Sequence, residues 1–275
     1  MNLDATKSAA RRLGYTVHQY WPEKIPTKYA PYSLMAVTLV VGGALVTGLV
    51  AGAAEVYEWV RESSGAAKLD EPILQQMLAW RSPELDRAVT WFTNLGGTIG
   101  MTILAIIAVI LLSWSSKSWR ALILVASVAA GSLIMTIAGK RLIGRERPAL
   151  EHAVPPYEHS ASFPSGHTLN ATAIMTVVAY LLFIEFTKTS QRILAIALCT
   201  VFVVGLGLSR IFLGHHWFTD VLAAFLLGLA WAGVVILAHR VWWAVRDHRG
   251  HHRDHKNGVP EPAAENASIP EPETK

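Results

Sequence analysis

Six long apolar stretches, separated by polar segments, dominate the hydropathy pattern of the chain. Each has a length near the roughly 20 residues that a helix needs to cross a bilayer. Lipid cannot satisfy open backbone N–H and C=O groups, so helices are the form expected for them. The pattern predicts an all-α integral membrane protein with six transmembrane helices, at residues 33–54, 98–114, 121–139, 167–186, 193–208 and 220–238.

Two polar segments flank the predicted membrane domain, which covers residues 33–245. Residues 1–32 are polar and basic and are predicted to be a cytoplasmic N-terminal segment. Residues 246–275 are rich in Pro, Glu and Ala with almost no large apolar groups, which predicts a disordered cytoplasmic tail. A solvated basic end is the favoured interpretation of the tail's histidines, with a metal or pH role as the alternative; they are His248, His251, His252 and His255.

The segment between the first and second spans, residues 55–97, has a mixed pattern with two helix-start signals. Asp70-Glu71-Pro72 and Ser82-Pro83-Glu84 each place polar residues and a proline just before a periodic apolar face. We therefore predict two short amphipathic helices at the membrane surface. They could form a lid over a lipid entrance, but packing against the helix bundle is the favoured interpretation.

The composition agrees with a membrane protein. Hydrophobic residues make up 52% of the 275 residues and charged residues only 16%, against about 25% in soluble domains. The net charge of +4 does not indicate nucleic-acid binding, because the cations cluster at span ends and in motifs. Cys199 is the single cysteine, so an intrachain disulfide is impossible.

The distribution of lysines and arginines predicts the orientation. With six spans, 15 of the 24 lie on the side of the N-terminus, the two short turns and the tail, and nine lie on the other side. Cytoplasmic loops carry the excess of positive charge. We therefore expect the side with nine lysines and arginines to face outward from a plasma membrane. This side includes loops 140–166 and 209–219.

Candidate chemistry is concentrated in residues 209–220, SRIFLGHHWFTD. Asp220 lies four residues after His216, so a helix containing both would place the carboxylate beside one imidazole nitrogen. The other nitrogen would then be available as a nucleophile. Arg210 supplies a forked cation suited to phosphate oxygens. His215 competes with His216, but only His216 has the spacing to Asp220.

Two further motifs precede this one. In FPSGHT, Pro164, Ser165 and Gly166 open a predicted helix whose N-terminus can bind an anion, with His167 beside it. In residues 140–148, Lys140 and Arg147 are seven residues apart, about two helical turns, so both cations can point the same way. The other residues of loop 140–166 are predicted to have no role in the chemistry.

The three motifs are K-x6-RP, PSGH and SR-x5-H-x3-D. In this order and spacing they resemble the motifs of the phosphatidic-acid-phosphatase type 2 superfamily of membrane lipid phosphatases. Within it, the sequence is similar to bacterial phosphatidylglycerophosphatase B and undecaprenyl-diphosphate phosphatases. The motif resemblance runs from residue 140 to 220. It implies the helical core shared with haloperoxidases. The matching residues are Lys140, Arg147, Pro148, Ser165, Gly166, His167, Ser209, Arg210, His216 and Asp220; Pro164 supports the helix start.

The motifs predict a two-step phosphoryl transfer, and the resemblance implies the same roles. His216 attacks phosphorus, Asp220 orients it, and His167 acts as acid and then as base. Fixed cations and helix dipoles stabilise the transition-state charge, so neither a metal nor another cofactor is expected. The phosphate-binding set is predicted to be Lys140, Arg147, Ser165, Gly166 and Arg210.

Two other functions compete with this one: a vanadium-dependent haloperoxidase, and a transporter or binding protein that holds a lipid phosphate without cleaving it. Six spans disfavour the first, and a His–Asp pair with a second histidine exceeds what binding needs. The expected partners are a lipid phosphate or diphosphate and membrane lipids, without nucleic acid. The sequence does not predict an oligomeric state.

For the substrate, the candidates are phosphatidate, phosphatidylglycerol phosphate and isoprenoid diphosphates. Arg141 and Arg145 form a second cation pair at i, i+4 beside Lys140 and Arg147. A second phosphate could bind this pair, which favours an isoprenoid diphosphate such as the undecaprenyl carrier. Contact with anionic lipid headgroups is the alternative explanation of the two arginines.

Overall fold

The computed structural model describes residues 30–256, and within that range it is all-helical, with no strand. The eight α-helices are α1 (Ala30–Glu62), α2 (Asp70–Ala79), α3 (Pro83–Asn94), α4 (Thr98–Ser116), α5 (Arg120–Ile143), α6 (Gly166–Glu185), α7 (Thr189–Phe212) and α8 (Phe218–Lys256). Two short 3-10 helices, Gly65–Leu69 and Leu150–His152, lie in the connections.

Six of the helices in the described part of the chain are long and apolar enough to cross a membrane: α1, α4, α5, α6, α7 and α8. They correspond one by one to the predicted spans, so the predicted fold class is confirmed. Five of the six helices run past the predicted C-terminal ends, because the predictions stopped at the first polar residues; α6 ends at Glu185, one residue before its predicted end. The first span, for example, continues from residue 54 to Glu62, and its extra turns bury Val56 against Phe163 and Ala223.

Helices α2 and α3 begin where the turn signals predict. Pro83 occupies the first turn of α3, and the Ser82 hydroxyl accepts the backbone N–H of Leu85 at 3.3 Å, which satisfies one of the donors left free at a helix start. Both helices pack against α7, and Leu74 of α2 is fully buried. These contacts support packing against the bundle rather than a free lid.

Helix α6 is the centre of the bundle, packed against α4, α5 and α7. It is also the most buried of the candidate spans. Helix α4, by contrast, exposes a surface of large apolar side chains, as expected for a face solvated by lipid tails; it includes Ile99, Ile103, Ile106, Ile107 and Ile110.

The chain divides into two compact units, residues 1–239 and 240–275. The first contains all the motif residues. Of the second, the structure describes the end of α8, which stays helical to Lys256, past the predicted start of the tail at 246. The rest of that tail and N-terminal residues 1–29 lie outside the described residues, so the predicted disorder and the domain limits stay predictions.

Four helix ends meet at one side of the bundle and carry the three motifs. Lys140 lies in the last turn of α5 and Arg210 in the last turn of α7, while Gly166 opens α6 and Asp220 lies in the first turn of α8. Gly139 allows the close approach between α5 and the PSGH segment, because a Cβ there would lie 2.5 Å from Cδ of Pro164.

Candidate active site

His216 lies in the short loop between α7 and α8, within the predicted loop 209–219, so a single helix does not contain both His216 and Asp220. The loop turns at Gly214, whose φ of +69° is a left-handed conformation that glycine adopts without strain. A Cβ at Gly214 would also lie 2.2 Å from the carbonyl oxygen of His152. Helix α8 starts only at Phe218, so the loop and not a shared helix face brings the imidazole to the carboxylate.

One edge of the fully buried His216 ring faces acceptors. Its Nδ1 lies 3.5 Å from Oδ2 of Asp220 and 3.3 Å from Oγ of Ser162. The Ser162 hydroxyl donates to the same Oδ2 at 2.5 Å. This arrangement suits a proton on Nδ1, which leaves the lone pair on Nε2.

A second layer of charged groups holds Asp220. Arg145 donates to Oδ1 of Asp220 and to Oδ2 of Asp70, both at 2.6 Å. Asp70, the first residue of α2, also accepts the backbone N–H of Thr219 at 2.8 Å and its hydroxyl at 2.7 Å. The backbone N–H of Trp217 donates to Asp220 at 2.9 Å. Every carboxylate in this layer therefore has matched donors.

Arg145 therefore does not serve the second phosphate site expected for it. Its guanidinium is half-buried and paired with two carboxylates, while Arg141 is exposed on the last turn of α5. The i, i+4 spacing holds only where both residues are helical, and α5 ends at Ile143, between them. The interpretation of Arg141 and Arg145 as one cation pair is wrong.

The other edge of the His216 ring faces cations. Nη1 of Arg147 lies 3.3 Å from Nε2 of His216 and donates to the carbonyl of His215 at 2.6 Å. Nη2 of Arg147 and Nζ of Lys140 share the Ser160 hydroxyl, at 3.2 and 2.7 Å. The structure thus brings Lys140, Arg147 and His216 together, as the motif spacing predicts.

Arg210 is the most deeply buried of the cations, and a residue outside the motifs positions it. Its Nη1 donates to the hydroxyl of Thr93 on α3 at 3.2 Å, and the Ser209 hydroxyl donates to the same oxygen at 2.9 Å. Arg210 Nε has no hydrogen-bond partner among the described residues. The site therefore retains an unused donor on a buried cation.

The PSGH segment forms the wall beside these cations. Ser165 is the residue before α6, but its hydroxyl caps no backbone N–H and instead pairs with that of Thr168 at 3.0 Å. The Ser165 backbone N–H donates to the carbonyl of Asp220 at 3.2 Å, which joins the two motifs. His167 is a quarter exposed. Pro148 and Pro164 are both buried.

Glu158 lies in loop 140–166, among the residues predicted to have no role in the chemistry, and its contacts correct that prediction. Its carboxylate pairs with Arg210 through Oε1 and with Arg147 through Oε2 at 2.8 Å. Nδ1 of His167 and Nε2 of His216 each lie 4.0 Å from one of its oxygens. Burial alone would raise the pKa of Glu158, but the guanidinium charges of Arg210 and Arg147 help to lower it to about 2, so the group is an anion.

The two adjacent histidines have different surroundings. Nε2 of His215 contacts the carbonyl of Val154 at 2.7 Å. Burial, with the charge of Arg147, lowers the pKa of His216 well below the usual value, so its imidazole is neutral. Of the two, His216 alone lies between a carboxylate and the arginines, in agreement with the motif spacing. No cluster of three or more metal-ligating side chains occurs among residues 35–246, whose side chains the structure describes.

Comparison with known proteins places this chain among the membrane phosphatases. Residues 120–244 match the family model of the PAP2 superfamily. Phosphatidylglycerophosphatase B of Bacillus subtilis is 31% identical over 203 residues, which is 73% of this chain and 90% of that protein. The chain therefore belongs to the PAP2 superfamily of membrane lipid phosphatases, as its motifs predict.

Other relatives agree. The putative undecaprenyl-diphosphatase YbjG of Escherichia coli is 28% identical over 158 residues, 56% of this chain and 73% of that protein. The crystal structure of the PAP2-type phosphatidylglycerolphosphate phosphatase of Bacillus subtilis has a TM-score of 0.58 at 29% identity, covering 75% of this chain and 94% of that one. Aquifex aeolicus LpxE shares the fold, with a TM-score of 0.50 at 24% identity and coverages of 61% and 94%.

Proposed function

We propose that the chain hydrolyses a lipid phosphate ester through a covalent phosphohistidine at His216. The observation that carries the proposal is the placement of this ring, with Nδ1 towards Asp220 and Ser162 and Nε2 towards Arg147. A neutral imidazole held in one tautomer beside fixed cations suits nucleophilic attack on phosphorus.

In the first step, the Nε2 lone pair of His216 forms a bond to phosphorus as the bond to the ester oxygen breaks. Lys140, Arg147 and Arg210 offset the charge on the phosphoryl oxygens, together with the N-terminal end of α6 around Ser165 and Gly166. The proton for the departing alkoxide comes from His167. Asp220 stabilises the charge that His216 acquires.

In the second step, water attacks the phosphohistidine and releases inorganic phosphate. His167, now neutral, takes the proton from the attacking water, which returns it to its starting state. The N–P bond breaks and its electron pair returns to Nε2 of His216. The three cations do the electrostatic work that a divalent metal does in other phosphatases, so we expect turnover without metal or other cofactor.

A lipid phosphomonoester is the substrate class we propose first, with phosphatidylglycerol phosphate or phosphatidate as its representatives. The relative with the larger overlap is named for the first of these reactions. The pairing of Arg145 with Asp70 and Asp220 removes the argument for a second phosphate subsite. A lipid diphosphate such as the undecaprenyl carrier is the second candidate, favoured by the relative named undecaprenyl-diphosphatase.

We further propose that the site faces outward from the plasma membrane, with residues 1–32 and 246–275 in the cytoplasm. The excess of lysine and arginine on the opposite side supports this orientation. Glu151 is exposed in the α5–α6 loop, so Glu151→Cys in a Cys199→Ser background should react with an impermeant thiol reagent in intact cells. Labelling only after lysis would reverse the topology.

The test of the function is phosphate release by the purified protein in detergent, measured across phosphatidylglycerol phosphate, phosphatidate and an isoprenoid diphosphate. We expect release from at least the monoesters, unchanged by a chelator. Matched His216→Ala protein separates the activity from contaminants. Absence of release from all three lipids would contradict the proposed function, and activity restored only by magnesium would contradict the metal-free mechanism.

A further inference from the structure

Glu158 occupies the place where the phosphate of a substrate must bind. Its two carboxylate oxygens contact Arg210 and Arg147, one each. One oxygen also lies 4.0 Å from Nε2 of His216, the atom that has to reach phosphorus. Phosphate is bound in the same way when two guanidinium groups each contact one of its oxygens.

A phosphoryl group and this carboxylate exclude each other. Attack requires phosphorus at about 3 to 3.5 Å from Nε2, and the Glu158 oxygen lies 4.0 Å from that atom on the side of the arginines. Arg147 and Arg210 would have to leave Glu158 to bind phosphoryl oxygens. Binding of any phosphate therefore begins with displacement of an internal anion.

Glu158 has a way out of the site. Its side chain is 26% exposed, and the neighbouring Tyr157, His159 and Ser160 are exposed in the same loop. The carboxylate can turn towards water without disturbing the helix core. In water the ionised group regains its hydration, so displacement has a finite cost rather than an absolute barrier.

We propose that Glu158 is an internal competitor that weakens the binding of every phosphate, so that only a ligand with further contacts, such as a membrane-embedded lipid, occupies the site. This rests on the proposed function. Displacement of Glu158 costs free energy before a ligand can bind. The apparent affinity is therefore the intrinsic affinity multiplied by the fraction of sites from which Glu158 is displaced. A lipid substrate offsets this cost with the contacts of its membrane-embedded part, which inorganic phosphate lacks. Return of Glu158 also favours release of the phosphate product.

The test compares the inhibition constant of inorganic phosphate, measured against lipid phosphate hydrolysis, in wild type and in Glu158→Gln. Glutamine keeps the size of the side chain but removes its charge. We expect the inhibition constant to fall by about tenfold or more in the variant. The KM of a short-chain soluble phosphate ester and the KM of the lipid substrate should fall with it by a similar factor, because each ligand displaces the same carboxylate.

Glu151→Gln is the matched control, because it removes the same charge from the same loop at a side chain that is 79% exposed and contacts none of the arginines. It should leave the inhibition constant unchanged. Glu158→Asp, with a shorter reach, should give an intermediate value. An unchanged or higher constant in Glu158→Gln would overturn the proposal, as would a lower one in Glu151→Gln.

Failure of the proposed function looks different. If the protein is not a phosphatase, wild type and Glu158→Gln both release no phosphate from any lipid. If the protein is a phosphatase but Glu158 only positions His167, Glu158→Gln lowers kcat without tightening phosphate inhibition. The two constants, kcat and the phosphate inhibition constant, therefore separate the two failures.

Discussion

The two edges of the His216 ring face regions with opposite charge balance. On the Nδ1 side lies the anchoring layer, formed by Asp70, Arg145, Ser162 and Asp220, where each carboxylate is paired and hydrogen-bonded. On the Nε2 side lies the phosphate layer, where Lys140, Arg147 and Arg210 surround the single carboxylate of Glu158.

This difference separates the groups that hold the site in place, in the anchoring layer, from the groups that bind a ligand, in the phosphate layer. A buried network with matched charges is rigid, because every displacement leaves a buried charge unpaired. The phosphate layer has more cations than anions and retains an unpaired Nε on Arg210. An added anion satisfies that layer and would disrupt the other.

The largest expected effect is at the ring between the two layers. His216→Ala should lower kcat by about 10⁴-fold or more, because it removes the proposed nucleophile. His215→Ala is the control, since Nε2 of that ring contacts the Val154 carbonyl. Steady-state phosphate release from lipid checks both. Equal losses in the two variants would contradict the assignment of His216.

Breaking the anchoring layer should cost stability as well as activity. Arg145→Met leaves the buried carboxylates of Asp70 and Asp220 without their cation, which typically costs about 3–5 kcal/mol. We expect a lower apparent Tm at a fixed scan rate in detergent, and equal loss of kcat/KM for a lipid monophosphate and diphosphate.

Arg141→Met removes the exposed neighbouring cation and should leave both quantities nearly unchanged. A loss confined to the diphosphate in either variant would restore the interpretation of these arginines as a second phosphate site. A normal Tm for Arg145→Met would show that the anchoring layer contributes little to the fold.

The sequence predicts the fold and the motif residues of this site better than the contacts that organise them. Apolar length alone gives the six spans, and motif spacing brings Lys140, Arg147, His216 and Asp220 together. Asp70 and Thr93 lie in α2 and α3, and their contacts with Thr219 and Arg210 bridge 149 and 117 residues. Such contacts come from helix packing, which no local pattern encodes.

Glu158 shows a second reason why the sequence does not predict every residue of the site. A glutamate in a polar loop with neighbouring exposed residues has the pattern of a solvated side chain, and nothing in its sequence neighbourhood indicates two arginine partners. Only the folded loop directs it into the cation cluster. The motifs contain more cations than carboxylates, and this surplus indicates that a further carboxylate pairs with the cations.

The smallest expected effect is the response of His216 to mild acid. Burial and the charges of Arg147 and Arg210 lower its pKa well below the usual value of about 6.5. Because the folded pKa lies below the unfolded one, the group's contribution to stability is full above about pH 6.5 and declines as the pH falls.

At pH 6 we therefore expect the ¹⁵N NMR signals of His216, identified by difference from His216→Asn protein, to remain those of a neutral ring with its proton on Nδ1. Signals of an imidazolium at pH 6 would contradict the described charge balance. A neutral ring with its proton on Nε2 would contradict the placement of Nδ1 as the donor towards Ser162 and Asp220.

In the proposed mechanism the phosphoryl group is bonded covalently to Nε2 of His216 during turnover. Rapid quench with labelled substrate detects this intermediate directly. Wild-type protein is mixed with ³²P-labelled lipid phosphate, quenched in alkali within the first turnover, digested and mapped. We expect an acid-labile phosphohistidine in the peptide that contains His216, absent from His216→Ala and present in His215→Ala. Label on His167 or His215, or turnover with no labelled protein at any quench time, would contradict it.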